Sequence, residues 1–270
     1  MDTKKSIQFI NPPFSREKVS NRRKFSAVHY HEKHYELYCL VDGTTKYFIG
    51  DEIYVLKKGD FVFIPKGILH KTDSEECLHN ERILLSFDDS IFNNDNSFLI
   101  DELTNSKFCR ISEKHLYKLE EIMGSLEKEY EREDIYSKNL RKTYIIQLLT
   151  LLCRYRRPAT TSISESDKIV FEVSNFIKGN YDKNITLKLI CKEFSVNESY
   201  LSKKFKKVSG TGINEYITYV RIMNAETLLK ENKYSITEIA YKCGFNDSNY
   251  FSTVFKKIKG IAPLKYSKGT

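Results

Sequence analysis

The final part of this 270-residue chain carries one helical signature twice, the second copy a constant 50 positions after the first. Tyr200 pairs with Tyr250, Ser202 with Ser252, Phe205 with Phe255, Lys206 and Lys207 with Lys256 and Lys257, Gly210 with Gly260, and Tyr216 with Tyr266. A spacing kept over so many positions means one supersecondary unit used twice. Each copy reads as a short helix, a tight turn and a second helix with a basic end. That is the order of a helix-turn-helix that lays its second helix in a DNA groove.

Helix punctuation supports the same division. Thr186 is placed to cap a helix over Leu187, Leu189, Ile190 and Cys191, and Asn197 to cap the next, with Tyr200, Leu201, Phe205 and Val208 inward. In the second copy Ser235 or Thr237 starts a helix, Glu238 completes a capping box with Ser235, and Gly244-Phe245-Asn246 turns the chain. Asp247 then starts the helix that buries Tyr250, Phe251, Val254 and Phe255. Helical geometry leaves Ser199, Ser202, Lys203, Lys206 and Lys207 outward on the first second-helix. Ser248, Asn249, Ser252, Thr253 and Lys256 are left outward on the other. Asn beside adenine and Lys beside guanine each supply about 1–3 kcal/mol of base discrimination. The plainer reading makes Ser and Thr solvent-facing fillers and leaves lysines, Lys257 included, on phosphate.

Charge is distributed as that reading requires. Residues 1–166 hold 26 Lys+Arg and 26 Asp+Glu, while residues 167–270 hold 18 and 10, so the whole net charge of +8 lies in the C-terminal part. A polyanion is the expected partner of that part alone. A membrane is not, because the longest apolar stretch, Tyr144 to Cys153, is too short to span a bilayer and is interrupted by Gln147 and Thr150. The N-terminus leads into no apolar signal segment. The cysteines, at 39, 77, 109, 153, 191 and 243, are scattered without a Cys-x-x-Cys pair. That argues for reduced thiols and a soluble cytoplasmic protein.

The preceding part has a different texture. Short aromatic and β-branched runs, Tyr35–Val41, Thr45–Ile49, Ile53–Leu56 and Phe61–Ile64, are cut by Asp42-Gly43, Gly50-Asp51, a turn at 57–60 and Pro65. Closely spaced strands with hairpin turns at these breaks predict a small barrel or sandwich. Two helical patterns follow, each with one apolar face. Arg157 to Ser166, with Pro158 and several Ser and Thr, reads as a linker. The expected architecture is α+β in two domains: a β-barrel over 1–112 with a helix pair over 113–156, a linker over 157–166, and an all-α domain over 167–270 with two helix-turn-helix units.

The run from Ser235 through Cys243-Gly244-Phe245 and Tyr250-Phe251 to Lys257, followed by Gly260, Pro263 and Tyr266, resembles the signature of the AraC/XylS family of transcription regulators. The likeness covers 167–270. The first copy departs from it in having Ile213 where the second has Pro263, and Cys191 in place of alanine. The resemblance implies two helix-turn-helix units joined by a helix over 214–231 and entering successive major grooves on one DNA face. It further implies a homodimer formed through the helix pair and, for an activator, contact with RNA polymerase.

His29-x-His31-x4-Glu36-x6-Gly43 and Gly59-x5-Pro65-x-Gly67-x2-His70 resemble the two cupin motifs, with Ser74 in place of the usual Asn. The change of parity between His31 and Glu36 calls for a bulge or turn between them. Three imidazoles and one carboxylate suit a divalent metal. Regulators of this kind also use such a pocket for an organic effector without metal, and the aromatics Tyr30, Tyr35, Tyr38, Tyr47, Phe48, Tyr54, Phe61 and Phe63 would stack on a sugar ring or simply fill a core. His34 and His79 fit neither spacing. The main reading is an effector-responsive, sequence-specific DNA-binding regulator, not an enzyme and requiring no cofactor. Its rivals are a metal-dependent cupin enzyme fused to a DNA-binding domain and a nonspecific nucleoid protein.

Overall fold

The computed structural model describes residues 13–20, 28–50, 52–73, 79–157 and 165–268. The chain divides into two compact units between Ile163 and Ser164. In the first unit, β1 (Phe14–Ser20), β2 (Tyr35–Ile49), β3 (Glu52–Lys57), β4 (Asp60–Ile64), β5 (His70–Asp73), β6 (His79–Phe87) and β7 (Phe108–Arg110) are followed or interrupted by α1 (Phe98–Asn105), α2 (Glu113–Tyr130) and α3 (Ser137–Tyr155).

The long β2 organises this unit. Its first half lies between β6 and β4 in the order β1-β6-β2-β4-β7, and its second half pairs with β3 and β5. The Asp42-Gly43 hairpin expected from sequence is therefore absent. Gly43 has φ 85°, and the register with β6 shifts between Leu40 and Asp42. Glycine here bends one strand from one sheet into the other, as a bulge does, instead of reversing it. The turn before Asp60 likewise joins strands that do not pair with each other. Gly50 does close a hairpin, with Ile49 opposite Glu52. The helix α1 had no counterpart in the sequence reading.

The first sheet has two faces because side chains alternate along a strand. Leu37, Cys39, Phe61, Phe63, Ile83 and Leu85 form one core with Leu119, Met123 and Leu126 of α2 and Ile145, Leu148 and Leu152 of α3. The opposite face, with Tyr38, Leu40, Val62, Ile64 and Leu84, packs on Tyr47, Ile49, Tyr54 and Leu56 from the second sheet. Both helices thus spend their apolar stripes on the sheet of their own chain. Tyr117, Ile135, Tyr136 and Leu140 stay exposed.

The second unit is helical: α4 (Glu165–Asn180), α5 (Leu187–Glu193), α6 (Glu198–Ser209), α7 (Ile213–Glu231), α8 (Ile236–Lys242), α9 (Ser248–Lys259) and α10 (Pro263–Lys268). Arg157, assigned to the linker from sequence, bonds through its backbone to Arg110 of the first unit. The residues at 158–164 lie outside those described. In α7, the connecting helix expected over 214–231, Ile213, Tyr216, Ile217, Tyr219, Val220, Ile222, Ala225 and Leu229 are buried and, at 100° per residue, point in all directions and not along one amphipathic stripe. A helix packed by both copies keeps no continuous polar face; its exposed residues, Asn214, Glu215, Thr227, Lys230 and Glu231, gather near its two ends.

The repeat also differs in one detail from a constant offset. The helices α6 and α9 are 50 positions apart, but α5 and α8 are 49 apart. The second turn therefore holds one extra residue. The residue closing each first helix adopts positive φ, 53° at Ser195 and 80° at Gly244. Ser195 is exposed, so glycine there would relieve left-handed strain without losing packing. A Ser195→Gly chain is expected to gain about 0.5–1 kcal/mol, read as a higher melting temperature of the helical unit. Unchanged or lower stability would contradict that strain.

Candidate DNA interface and barrel cluster

Each recognition helix starts at a side-chain cap. Asn197 accepts from the amides of Ser199 and Tyr200, and Asp247 from those of Asn249 and Tyr250. Thr186 caps α5, and Ser235 forms the capping box with Glu238. Of the two sequence candidates for the start of α8, Ser235 holds the position. Leu201 and Phe205 of α6, and Phe251 and Phe255 of α9, are fully buried. These anchors turn the opposite faces outward.

Ser199, Lys203, Lys206 and Lys207 are exposed on α6, with Ser202 half-buried; Asn249, Thr253, Lys256 and Lys257 are exposed on α9, with Ser248 and Ser252 half-buried. The Thr253 hydroxyl donates to the Asn249 carbonyl at 2.9 Å, which commits its proton to the helix and leaves its lone pairs outward. Tyr200 and Tyr250 were expected inside but are 50% and 57% exposed. Each sits one residue before its buried anchor, at the edge of the apolar stripe. Periodicity alone cannot rank an edge position, but recurrence of tyrosine in both copies was the available signal.

Not every lysine in these helices faces outward. Lys204 of α6 reaches Asp167 of α4 at 2.8 Å. Lys259 of α9 pairs with Glu226 of α7, which also accepts from the Tyr266 hydroxyl at 2.5 Å. Burial would push the Glu226 carboxyl up, yet the hydrogen bonds from Lys259 and Tyr266 outweigh it and hold the group at about 2. Each recognition helix is thus tied by one lysine to a long helix behind it.

In the first unit the four residues singled out by spacing come together. A bend at Glu32 and Lys33 makes the change of parity between His31 and Glu36. His29 and His70 pair through their backbones, with N···O distances of 3.2 and 2.9 Å. His31 Nε2 lies 3.0 Å from Glu36 Oε2, and His70 Nε2 lies 4.0 Å from Oε1. One donor atom from each of His29, His31, Glu36 and His70 lies within 4.8 Å of the others. Ser74 and the side chain of His79 lie outside the described residues, and His34 is exposed.

The protonation pattern of this cluster is legible. His70 Nδ1 sits 2.8 Å from the Ile68 carbonyl, which fixes the proton there and leaves Nε2 with a bare lone pair. That atom is fully buried and has no hydrogen-bond partner. Burial depresses the His70 imidazole to about 3 despite the pull of Glu36. Burial alone would raise the Glu36 carboxyl, but the His31 hydrogen bond and the surrounding imidazoles hold it at about 2. A carboxylate and an orphaned imidazole nitrogen facing one another are the donors a divalent cation takes, at about 2.0–2.2 Å for zinc.

From sequence, Tyr47 reads only as a stacking or core aromatic, not as a partner of Glu36, and Arg82 is not singled out. Tyr47 donates to Glu36 Oε1 at 3.2 Å, and its ring packs 4.9 Å from that of Tyr38. Arg82 pairs with Glu17 at 2.7 Å and approaches Thr72 at 3.5 Å. Tyr47 meets Glu36 because β2 bends back between them, and Arg82 meets Thr72 from a different strand, so neither contact follows from a local spacing. The aromatics Tyr35, Tyr38, Tyr47, Phe48, Tyr54, Phe61 and Phe63 are buried. A cavity of about 140 Å³ lies on the other, helix-covered face of the sheet, beside Cys39, Gly59, Leu116 and Met123.

Comparison with known proteins agrees with both halves of this picture. A profile of the helix-turn-helix domain matches residues 190–269 and one of the cupin domain matches residues 20–77. The HTH-type transcriptional activator RhaR of Mannheimia succiniciproducens is 27% identical over 232 residues, covering 86% of this chain and 83% of that protein. RhaR of Escherichia coli is 27% identical over 239 residues, with the same coverage. A solved structure of ToxT from Vibrio cholerae is 20% identical and covers 95% of this chain and 98% of that one, with a TM-score of 0.38. Among the described residues no helix is long and apolar enough to cross a membrane. With two capped helix-turn-helix units following a cupin-like sheet domain in the sequence, the chain is a member of the AraC/XylS family of DNA-binding transcription regulators.

Proposed function

We propose that α6 and α9 enter successive major grooves on one face of promoter DNA, and that the first unit makes this binding responsive to a small effector. The observation that carries the DNA reading is the pair of outward faces, Ser199, Ser202, Lys203 and Lys206 on one helix and Ser248, Asn249, Ser252, Thr253 and Lys256 on the other. Asn249 and Lys203 are assigned to bases, and Lys206, Lys207, Lys256 and Lys257 to phosphate. The protein acts in the cytoplasm as a homodimer joined through the exposed side of the helix pair, and contacts RNA polymerase where it activates. The domain limits assigned from sequence, 1–112, 113–156 and 167–270, belong to this reading.

His29, His31, Glu36 and His70 are the effector site, and the orphaned Nε2 of His70 supports a divalent ion held there. Such an ion would offer open coordination positions to oxygen atoms of the effector, a sugar among the candidates. Tyr47 then orients the Glu36 carboxylate through its hydroxyl. The rival reading of the same cluster is a metal-dependent enzyme fused to a DNA-binding domain. Turnover of a small substrate by the metal-loaded chain would favour it.

Selection of genomic fragments on the full-length protein at near-physiological salt tests the DNA reading. Two short boxes about 10 base pairs apart are expected; uniform recovery of all fragments would sink it in favour of a nonspecific DNA-binding protein. On the selected site, Asn249→Ala is expected to lose about 1–3 kcal/mol and to relax preference at one base pair. Lys256→Ala should weaken all sequences alike and reduce the slope of log affinity against log salt by about 1. An Asn249→Ala chain with unchanged sequence preference would remove that residue from base reading.

A further inference from the structure

Both helix-turn-helix copies require a left-handed residue at the end of the first helix, yet only the second uses glycine. The difference is contact. A Cβ on Gly244 would lie 2.5 Å from the Tyr181 carbonyl oxygen, 3.0 Å from the Asp182 carbonyl carbon and 3.0 Å from Arg221 Nε. The turn of the second copy is thus seated on the Tyr181–Lys183 turn, which leads from α4 into the first copy.

Arg221, from α7, closes this junction. Its Nε donates to the Tyr181 carbonyl at 2.8 Å and its Nη2 to the Lys183 carbonyl at 2.9 Å. Its guanidinium carbon lies 5.7 Å from the centre of the Phe245 ring. The planar fork of arginine holds two carbonyls at a fixed separation, which a single ammonium cannot do. Tyr181 itself packs against the core of the second copy, with Ile222, Ala225, Phe245 and Phe251. One side chain therefore joins the entry of the first copy, the shared helix and the turn of the second.

We propose that Arg221, seated against Gly244, sets the separation at which α6 and α9 meet DNA and so determines which spacing between the two DNA boxes the protein accepts. This rests on the two-groove reading above. Helix α7 carries the second copy through its own core and through Glu226, and Arg221 adds the direct tie from the turn of the second copy to the entry of the first. A base-pair step is about 3.4 Å along the duplex and about 35° around it, so α9 follows its box by one step only if it both shifts and turns relative to α6, which the Arg221 tie opposes. Arg221 is a positioning residue: it acts through the placement of the recognition helices, not through their base-reading side chains.

The test uses the full-length parent chain, Arg221→Ala and Arg221→Lys in selections from a random duplex library. Affinities are then measured on duplexes carrying the selected boxes at the parent spacing and one base pair shorter and longer. The parent should bind the shifted duplexes about tenfold more weakly, the order of a single mismatch. Arg221→Ala should select the same two box sequences but discriminate spacing only about two- to threefold, with Arg221→Lys between. A uniform loss of affinity with unchanged spacing preference in both variants would overturn the proposal. If Arg221→Ala fails to fold, the same comparison on Arg221→Lys decides. A parent chain that selects no paired boxes removes the two-groove reading and the proposal with it, a result distinct from uniform weakening.

Discussion

A Gly244→Ala chain is expected to lose about 3 kcal/mol of stability in its helical unit, far more than one methyl group costs on an exposed turn. Two causes add. At φ 80° an L side chain pays about 1–2 kcal/mol for the left-handed backbone. The new Cβ would also lie 2.5 Å from the Tyr181 carbonyl oxygen, a backbone atom that cannot swing aside, and overpacking of this kind costs about 1–3 kcal/mol. Reduced freedom of the unfolded chain returns at most about 1 kcal/mol. Thermal and urea unfolding of the full-length chain, with hydrogen exchange resolving α8 and α9, measures the loss. The equivalent position in the first copy sharpens the comparison, since Ser195 already carries a side chain at φ 53°. A loss under about 1 kcal/mol would mean that the Tyr181 turn does not bear on Gly244.

The contrast between those two positions shows where the sequence is informative. Both turns were legible because helix caps act locally: Asn197, Asp247 and Ser235 each bond to amides two or three residues on. The buried anchors were legible because Leu201, Phe205, Phe251 and Phe255 keep one helical face. Tyr200 and Tyr250 were misplaced by the same rule, since a stripe read from periodicity has no sharp edge. The need for glycine at 244 as opposed to serine at 195 lies in a turn distant in sequence, and no local rule contains it.

The barrel followed the same division. The His29, His31, Glu36 and His70 set came from the resemblance to the two cupin motifs; strand parity adds only that His29 and His31 share a face and that a bend separates them from Glu36. Asp42-Gly43 was misread as a hairpin because a positive φ is common to reversals and bulges; only the pairing of each half of β2 with different strands distinguishes them. Tyr47 holds Glu36 from the second half of the same long strand, and Arg82 of β6 reaches Thr72 of β5. The first contact depends on the bend of β2 and the second on register between strands, and neither is written in a local spacing.

Acidification of the metal-free chain is expected to weaken the first unit before the second. Burial lowers the His70 imidazole from 6.5 to about 3, so between those values the unfolded chain holds a proton there that the folded chain does not. Stability therefore falls as pH falls through this window, with a slope that approaches about 1.4 kcal/mol per unit, or roughly 2 kcal/mol between pH 6.5 and 4.5. Glu36 and Glu226, both lowered from 4.5 to about 2, contribute stability above 4.5 that is lost only below it. The interval from 6.5 to 4.5 is thus the histidine range, and all six histidines lie in the first unit, with His70 the one that burial holds neutral. Urea unfolding followed by hydrogen exchange in each unit at pH 7, 5.5 and 4.5 should give a falling stability for the first and a flat one for the second. His70→Gln should remove the slope. Zinc at neutral pH and about a hundredfold over its dissociation constant should add about 2.7 kcal/mol to the first unit, an increment lost in acid, where protons compete for the imidazoles, and absent in His70→Gln. Equal acid slopes in both units would contradict the buried neutral imidazole. An intact slope without stabilisation by zinc would leave His70 as described and remove the metal from the effector site.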